Sequence, residues 1–349
     1  MLAAAGDGMT AMQLMKPRRD DRIVCDLVDR VVGSFAVIIA HEAGVFRALA
    51  AGPRTAQELS AALGLERRAC EALLILCTSA DLLWIEDGRY GLTCIAEDYF
   101  LESSPTYAGA LFELHSRDDS PFSFHQLRES ILGQPEWVHG KRAWVETNRK
   151  DATRAAAFTR AMHGHSMGAA LAWPEQIDLR ESRRMLDVGG GSGAHSIGAA
   201  MRWPQLEAVI LDLPAVCIAA EDYVRHYQLM HRITTHAADM WHDPWPRADV
   251  HFFGDIFHDW THEECRTLAR RSYDALESGG RILVHETLLD DDKRGPFTVA
   301  ASSLAMLAFC GGQQFSRIEL ISLLQDAGFQ ELAVIPTFGY WSVVAGRKR

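Results

Sequence analysis

Met185-Leu-Asp-Val-Gly-Gly-Gly-Ser-Gly-Ala-His195 is the stretch on which the fold turns. Glycines at 189, 191 and 193 permit a tight turn and a close backbone approach to a ligand, and a helix opening after them offers free amides. Outward from this loop, apolar runs of strand length alternate with amphipathic helical segments. The runs are Arg184 to Val188, Ala208 to Leu213, Ile233 to Asp239, Asp249 to Ile256 and Arg281 to Thr287. That alternation predicts a parallel α/β sheet. Two further helices, around Ala300 to Phe309 and Ile318 to Ala327, lead to Leu332 to Pro336 and Tyr340 to Ala345, spaced for a closing antiparallel hairpin.

The first half reads differently. Phe35 to Leu49 has apolar residues at helical spacing and stops before Gly52-Pro53, Thr55 with Glu58 makes a capping box, and Glu66 to Leu82 continues as helix. Leu82 to Thr93 then carries an Asp-Gly turn between two β-prone runs, which predicts a hairpin and so a winged-helix unit. Winged helices suggest DNA binding, but the segment from Cys70 to Leu83 is dominated by Ala, Leu, Ile and Cys, with only Arg67 and Arg68 at its start. Lys and Arg number 35 against 46 Asp and Glu, a net charge of −11 that repels polyanions, so nucleic acid is not an expected partner.

At 349 residues, 48% of them hydrophobic and 23% charged, the chain is long enough for two soluble domains with separate cores. The expected division is a flexible N-terminus (1–20), a helical winged domain (21–110), a helical connector (111–180) and a cofactor domain (181–349). Neither a positively charged leader nor about 18 successive uncharged apolar residues occurs, so a cytoplasmic protein without a membrane span is expected. Seven scattered cysteines without CxxC spacing read as reduced thiols, and no metal site is expected.

Gly189-x-Gly191-x-x-Ala194 with Asp212 further on also fits a dinucleotide fingerprint, which keeps a nicotinamide oxidoreductase open. Two features favour S-adenosyl-L-methionine. Asp187 precedes the glycines, where a carboxylate suits a cationic ligand and repels a pyrophosphate. Asp212 and Leu213, in Ile210-Leu-Asp-Leu-Pro214, end the second strand where a carboxylate accepts ribose hydroxyls, and Asp239-Met240 ends the third, suited to an adenine amine and ring face.

With these residues, Phe257-His-Asp-Trp260, the Glu286 strand end and Gly311-Gly312 in order over the same half, the chain resembles the class I S-adenosylmethionine-dependent O-methyltransferases of the plant caffeate and acetylserotonin type and their bacterial natural-product branch. The resemblance implies a Rossmann-like, seven-stranded α/β methyltransferase sheet and an N-terminal dimerisation domain, hence a homodimer through the Val24 to Ala48 helices. It also implies Ser166 near the cofactor carboxylate, where the residue alone reads as an N-cap or turn serine.

Methyl transfer from a sulfonium is an in-line displacement, so a hydroxyl acceptor has to be aligned and deprotonated. The resemblance makes His258 the general base and Glu286 the partner that orients it. Asp259 reads as a cap for a helix near Thr261 or a cofactor contact, and Trp260 as packing on adenine or core. The family commonly has a second Glu after the glycine pair, whereas Gln313-Gln314-Phe315 stands here. Gln314 accepts a hydrogen bond without charge, which leaves room for C- or N-methylation or for chemistry other than methyl transfer. A small aromatic acceptor is expected between the domains, against the Phe122 to Trp144 region, Phe158, Met162 and the Ala301 to Phe309 helix with Met306 and Phe309.

Overall fold

A computed structural model describes residues 16–116, 123–132 and 152–349. The first domain contains α1 (Arg22–Glu42), α2 (Val45–Leu49), β1 (Arg54–Thr55), α3 (Ala56–Leu63), α4 (Arg67–Ser79), β2 (Leu83–Glu86), β3 (Arg89–Leu92) and α5 (Cys94–Phe100). Thr55 and Glu58 close the capping box that starts α3, satisfying two orphan amides reciprocally. Asp87 and Gly88 take φ of 48° and 75°, the left-handed pair whose twist matches a two-residue hairpin. With β1 added, the wing has strand order β1-β3-β2.

Phe46, Leu49, Leu59, Leu74, Tyr90 and Phe100 form the core under that wing. Helix α1 does not share it along its first turns. Ile23, Val24, Val28, Val31, Val32, Phe35 and Ile39 are each more than half exposed, an apolar stripe at helical spacing that this chain leaves uncovered.

The chain continues through α6 (Gly109–Ser116), α7 (Phe124–Leu132) and α8 (Ala152–Gln176). Phe122 and residues 133–144 of the expected pocket segment lie outside the described residues, as do the first fifteen. Helix α8 crosses into the second domain and packs Met167, Ala170 and Trp173 into its core. There β4 (Arg184–Val188), α9 (Ala194–Arg202), β5 (Glu207–Asp212), α10 (Pro214–His226), β6 (Ile233–Ala237), β7 (Val250–Gly254), α11 (His262–Ala275), β8 (Arg281–Thr287), α12 (Phe297–Cys310), α13 (Arg317–Asp326), β9 (Gln330–Phe338) and β10 (Trp341–Arg347) complete the fold.

The expected seven-stranded sheet is present, in order β6-β5-β4-β7-β8-β10-β9, with five parallel strands and the antiparallel closing hairpin. Alternation along the strands feeds two cores: Met185, Ile210, Phe252 and Leu283 face one layer, while Leu186, Leu211, Phe253 and Val284 face the other. All five parallel strands therefore end at one edge, and β4, paired to β5 on one side and β7 on the other, marks the crevice where ligands bind in such sheets. Among the described residues, no helix is long and apolar enough to cross a membrane.

Candidate active site

After Val188 the chain turns through Gly189, Gly191 and Gly193, whose φ of 70°, 56° and 77° lie in the left-handed region that favours glycine. A Cβ at Gly191 would meet nothing within 4 Å, so the loop presents open backbone there. From the next strand, Asp212 accepts the Gly191 N–H at 2.9 Å and the Leu213 N–H at 2.7 Å, tying the loop to the start of α10. Asp187 lies beneath, fully buried. Its Oδ2 accepts the Ser196 hydroxyl at 2.7 Å, and its Oδ1 has no hydrogen-bond partner among the described residues.

Burial pushes Asp187 up to about 7 against the Ser196 hydrogen bond, with the Asp212 charge adding to the rise. Burial likewise pushes Asp212 up to about 6, against the two backbone N–H groups it accepts. Two neighbouring carboxylates that are this costly to ionise suit a cation and disfavour a pyrophosphate.

Beyond β6, Asp239 accepts the Trp241 N–H at 2.9 Å and lies 3.3 Å from His242 Nδ1, so its carboxylate also shapes its own turn. Met240 is half-buried beside it, and Trp241 meets Trp260 edge-on at 4.5 Å, joining the ends of the third and fourth strands.

Asp259 does not cap α11. Thr261 does, through a reciprocal capping box with Glu264 that satisfies two amides and outcompetes a single carboxylate. Asp259 instead lies in the 3-10 turn Phe257–Asp259, accepting the Cys310 thiol at 3.4 Å. Ser166 is neither cap nor turn, since it stands half-buried inside α8.

The same turn carries His258, whose Nδ1 is 2.6 Å from Glu286 Oε2 and whose N–H donates to Glu286 Oε1 at 3.2 Å. Glu286 is fully buried rather than an exposed strand end. Burial opposes charge on both groups, yet the facing carboxylate and its hydrogen bond raise the imidazole pKa above its ordinary value. On the other side of the turn, the His258 carbonyl accepts the Gln313 N–H at 2.8 Å. Gln314 is buried nearby, and its Oε1, the acceptor the sequence offered in place of a carboxylate, has no hydrogen-bond partner among the described residues.

Phe158 on α8 and Phe309 on α12 stack with ring centroids 6.2 Å apart, and Met162 and Met306 stand half-buried one turn away on the same two helices. Two polar links were not anticipated. His163 Nδ1 pairs with Ser192 Oγ of the glycine loop at 2.8 Å, fastening α8 to it. Asp255, at the end of β7, lies 3.9 Å from His258 Nδ1; its signal in the sequence is the one that marked Asp212 and Glu286, an acid at a strand end. A depression of about 420 Å³ between Gly52 and Trp84 shares no residue with this site.

The O-methyltransferase domain matches residues 124–330, and the O-methyltransferase dimerisation domain matches residues 25–102. The chain belongs to this O-methyltransferase family. An O-methyltransferase domain over the glycine loop replaces the nicotinamide reading, and a dimerisation domain over the wing replaces the DNA-binding one. The chain is 33% identical over 332 residues to 3-hydroxy-5-methyl-1-naphthoate 3-O-methyltransferase of Streptomyces sahachiroi, covering 93% of this chain and 95% of that one. It is 31% identical over 282 residues to L-tyrosine C(3)-methyltransferase of Streptomyces lavendulae, covering 79% of this O-methyltransferase and 77% of that protein. The solved structure of human N-acetylserotonin methyltransferase in complex with SAM is similar with a TM-score of 0.78 and 26% identity, over 96% of this chain and 99% of that one.

Proposed function

We propose that this O-methyltransferase moves a methyl group from S-adenosyl-L-methionine to an aromatic hydroxyl of a small-molecule secondary metabolite, with His258 as general base. The observation that carries this is the 2.6 Å hydrogen bond from His258 Nδ1 to the buried Glu286 carboxylate. With its Nδ1 proton held there, the neutral ring offers Nε2 to the acceptor hydroxyl, and the imidazolium that forms is already paired.

When bound, S-adenosyl-L-methionine supplies an electrophilic methyl group on a sulfonium. Asp187, Gly189 and Gly191 would hold its cationic amino-acid end, with Ser166 toward its carboxylate. Asp212 and Leu213 would hold the ribose, and Asp239, Met240, Asp259 and Trp260 the adenine. The orphaned Asp187 Oδ1 and the open backbone at Gly191 support that fit. Asp212→Ala is expected to weaken S-adenosylhomocysteine binding by at least about tenfold, because hydrogen bonds to a carboxylate are lost and the loop is untied. Undiminished affinity by isothermal titration removes Asp212 from the site.

Phe158, Met162, Met306 and Phe309 would flank the acceptor, whose aromatic character is supported by the stacked rings and by the naphthoate named for one relative. A second reading, methylation at an electron-rich ring carbon, is favoured by uncharged Gln314 and by the likeness to a tyrosine C(3)-methyltransferase. Locating the transferred methyl group on products from a phenol panel separates the two.

The apolar stripe on α1 and the dimerisation-domain match support a homodimer. Sedimentation at micromolar concentration should give twice the 38.8 kDa chain mass, and Val28→Asp with Val32→Asp should give monomer. A monomeric wild type refutes this assembly.

A further inference from the structure

Besides Glu286 at Nδ1 and Asp259, 3.6 Å from Nε2, His258 has a third carboxylate beside it, and it does not come from position 314. Asp255 Oδ1 lies 3.9 Å from His258 Nδ1 and accepts the Trp341 indole N–H at 3.3 Å, while Oδ2 lies 3.8 Å from His165 Nε2 on α8. Its side chain is 17% exposed, its φ of 54° turns it off the strand, and its N–H donates to the His285 carbonyl at 3.0 Å. The residue is thus hydrogen-bonded to two separate strands, β8 and β10, while Oδ2 has no hydrogen-bond partner among the described residues. Gln314, by contrast, brings no charge, and its Oε1 is unpaired among the described residues.

We propose that Asp255 is a positioning residue for methyl transfer: beside Glu286 it gives the Nδ1 side of His258 the second negative charge that position 314 lacks, and the two together hold the imidazolium formed as the acceptor hydroxyl proton passes to Nε2. This inference rests on His258 acting as the base. The single Nδ1 proton is committed to Glu286 at 2.6 Å, so Asp255 acts across 3.9 Å through its charge.

The groups facing His258 are Glu286 from β8, Asp255 from the end of β7 and Asp259 from its own turn, with the Cys310 thiol of α12 against Asp259. Those facing Asp255 are His165, His258, His285 and His195, which together outweigh burial and hold its carboxyl below the usual range. Burial keeps His195 at about 4 and His285 at about 3, so near neutrality both face Asp255 uncharged. Of the four rings, His258 is the one whose charge the Asp255 carboxylate supports during transfer.

The test is histidine-selective carbon-13 NMR titration of the protein saturated with S-adenosylhomocysteine, the His258 signal being assigned by its loss in His258→Gln. Asn and Gly both tolerate the left-handed backbone at 255, so Asp255→Asn removes the charge while keeping an acceptor for Trp341, and Asp255→Gly serves if that variant does not fold. The His258 pKa should fall by about one unit or more in either variant. Because the neutral ring is the base, the acid limb of kcat should move to lower pH. Gln314→Glu added to Asp255→Asn should move the pKa back up. A His258 pKa within a few tenths of wild type in both variants overturns the proposal, as would activity lost to a chelator and restored by zinc, which would make Asp255, His258 and Glu286 a metal site. Full turnover in His258→Ala would sink the base assignment and leave this titration readable.

Discussion

His258→Ala should lose about 10² to 10⁴ in kcat while binding S-adenosylhomocysteine with nearly unchanged affinity. The glycine loop, Asp187 and Asp212 stand on β4 and β5 and keep their own hydrogen bonds without the imidazole. What disappears is the acceptor for the hydroxyl proton, together with the group Glu286 orients. In the wild type, kcat should rise with pH through an apparent pKa above about 6.5, because the facing carboxylates raise the pKa of the imidazole and only its neutral form accepts a proton. Single-turnover rates for wild type and variant across pH provide the check. Wild-type turnover in His258→Ala would mean that the acceptor needs no base, which favours transfer to carbon.

Gly312→Ala should cost about 100-fold in kcat without touching any polar group. A Cβ at Gly312 would stand 2.0 Å from the His258 carbonyl oxygen and 2.6 Å from the Asp259 carbonyl carbon, both main-chain atoms that no side-chain rotation can clear. Relief requires the 3-10 turn to shift, carrying His258 away from its alignment with the acceptor. The neighbouring Gly311 caps α12 at φ 74°, so the helix end is also constrained on that side. The dimer and a cooperative thermal transition should persist, which separates a displaced turn from a failure to fold. A kcat within about twofold of wild type would show that the turn accommodates a methyl group without moving the base.

Local chemistry made much of this molecule legible. The parallel strands follow from apolar runs punctuated by helical segments, and the Asp87-Gly88 turn and the Thr55 capping box depend on residues within four positions of each other. The glycine loop was readable for the same reason, since left-handed φ at 189, 191 and 193 is a local demand that glycine meets. Asp187, Asp212, His258 and Glu286 were marked by standing at or just beyond strand ends, a position that alternation along the chain already specifies.

Packing between distant segments decided the rest. Ser166 looked like a cap or turn until α8 ran through it, and Asp259 lost the cap to Thr261 because Glu264 answers that residue reciprocally. Asp255 gained its place beside His258 from a left-handed bend and from Trp341, 86 residues away. Gln314 was read as an uncharged acceptor beside the base and is buried with Oε1 unpaired among the described residues, while the backbone around it is tied to His258 and Ser303. A strand pattern says which residues reach the edge of the sheet. Which of them meet there, at 2.6 Å or at 3.9 Å, depends on how helices and turns far apart in sequence close over that edge, and short-range periodicity carries no information about it.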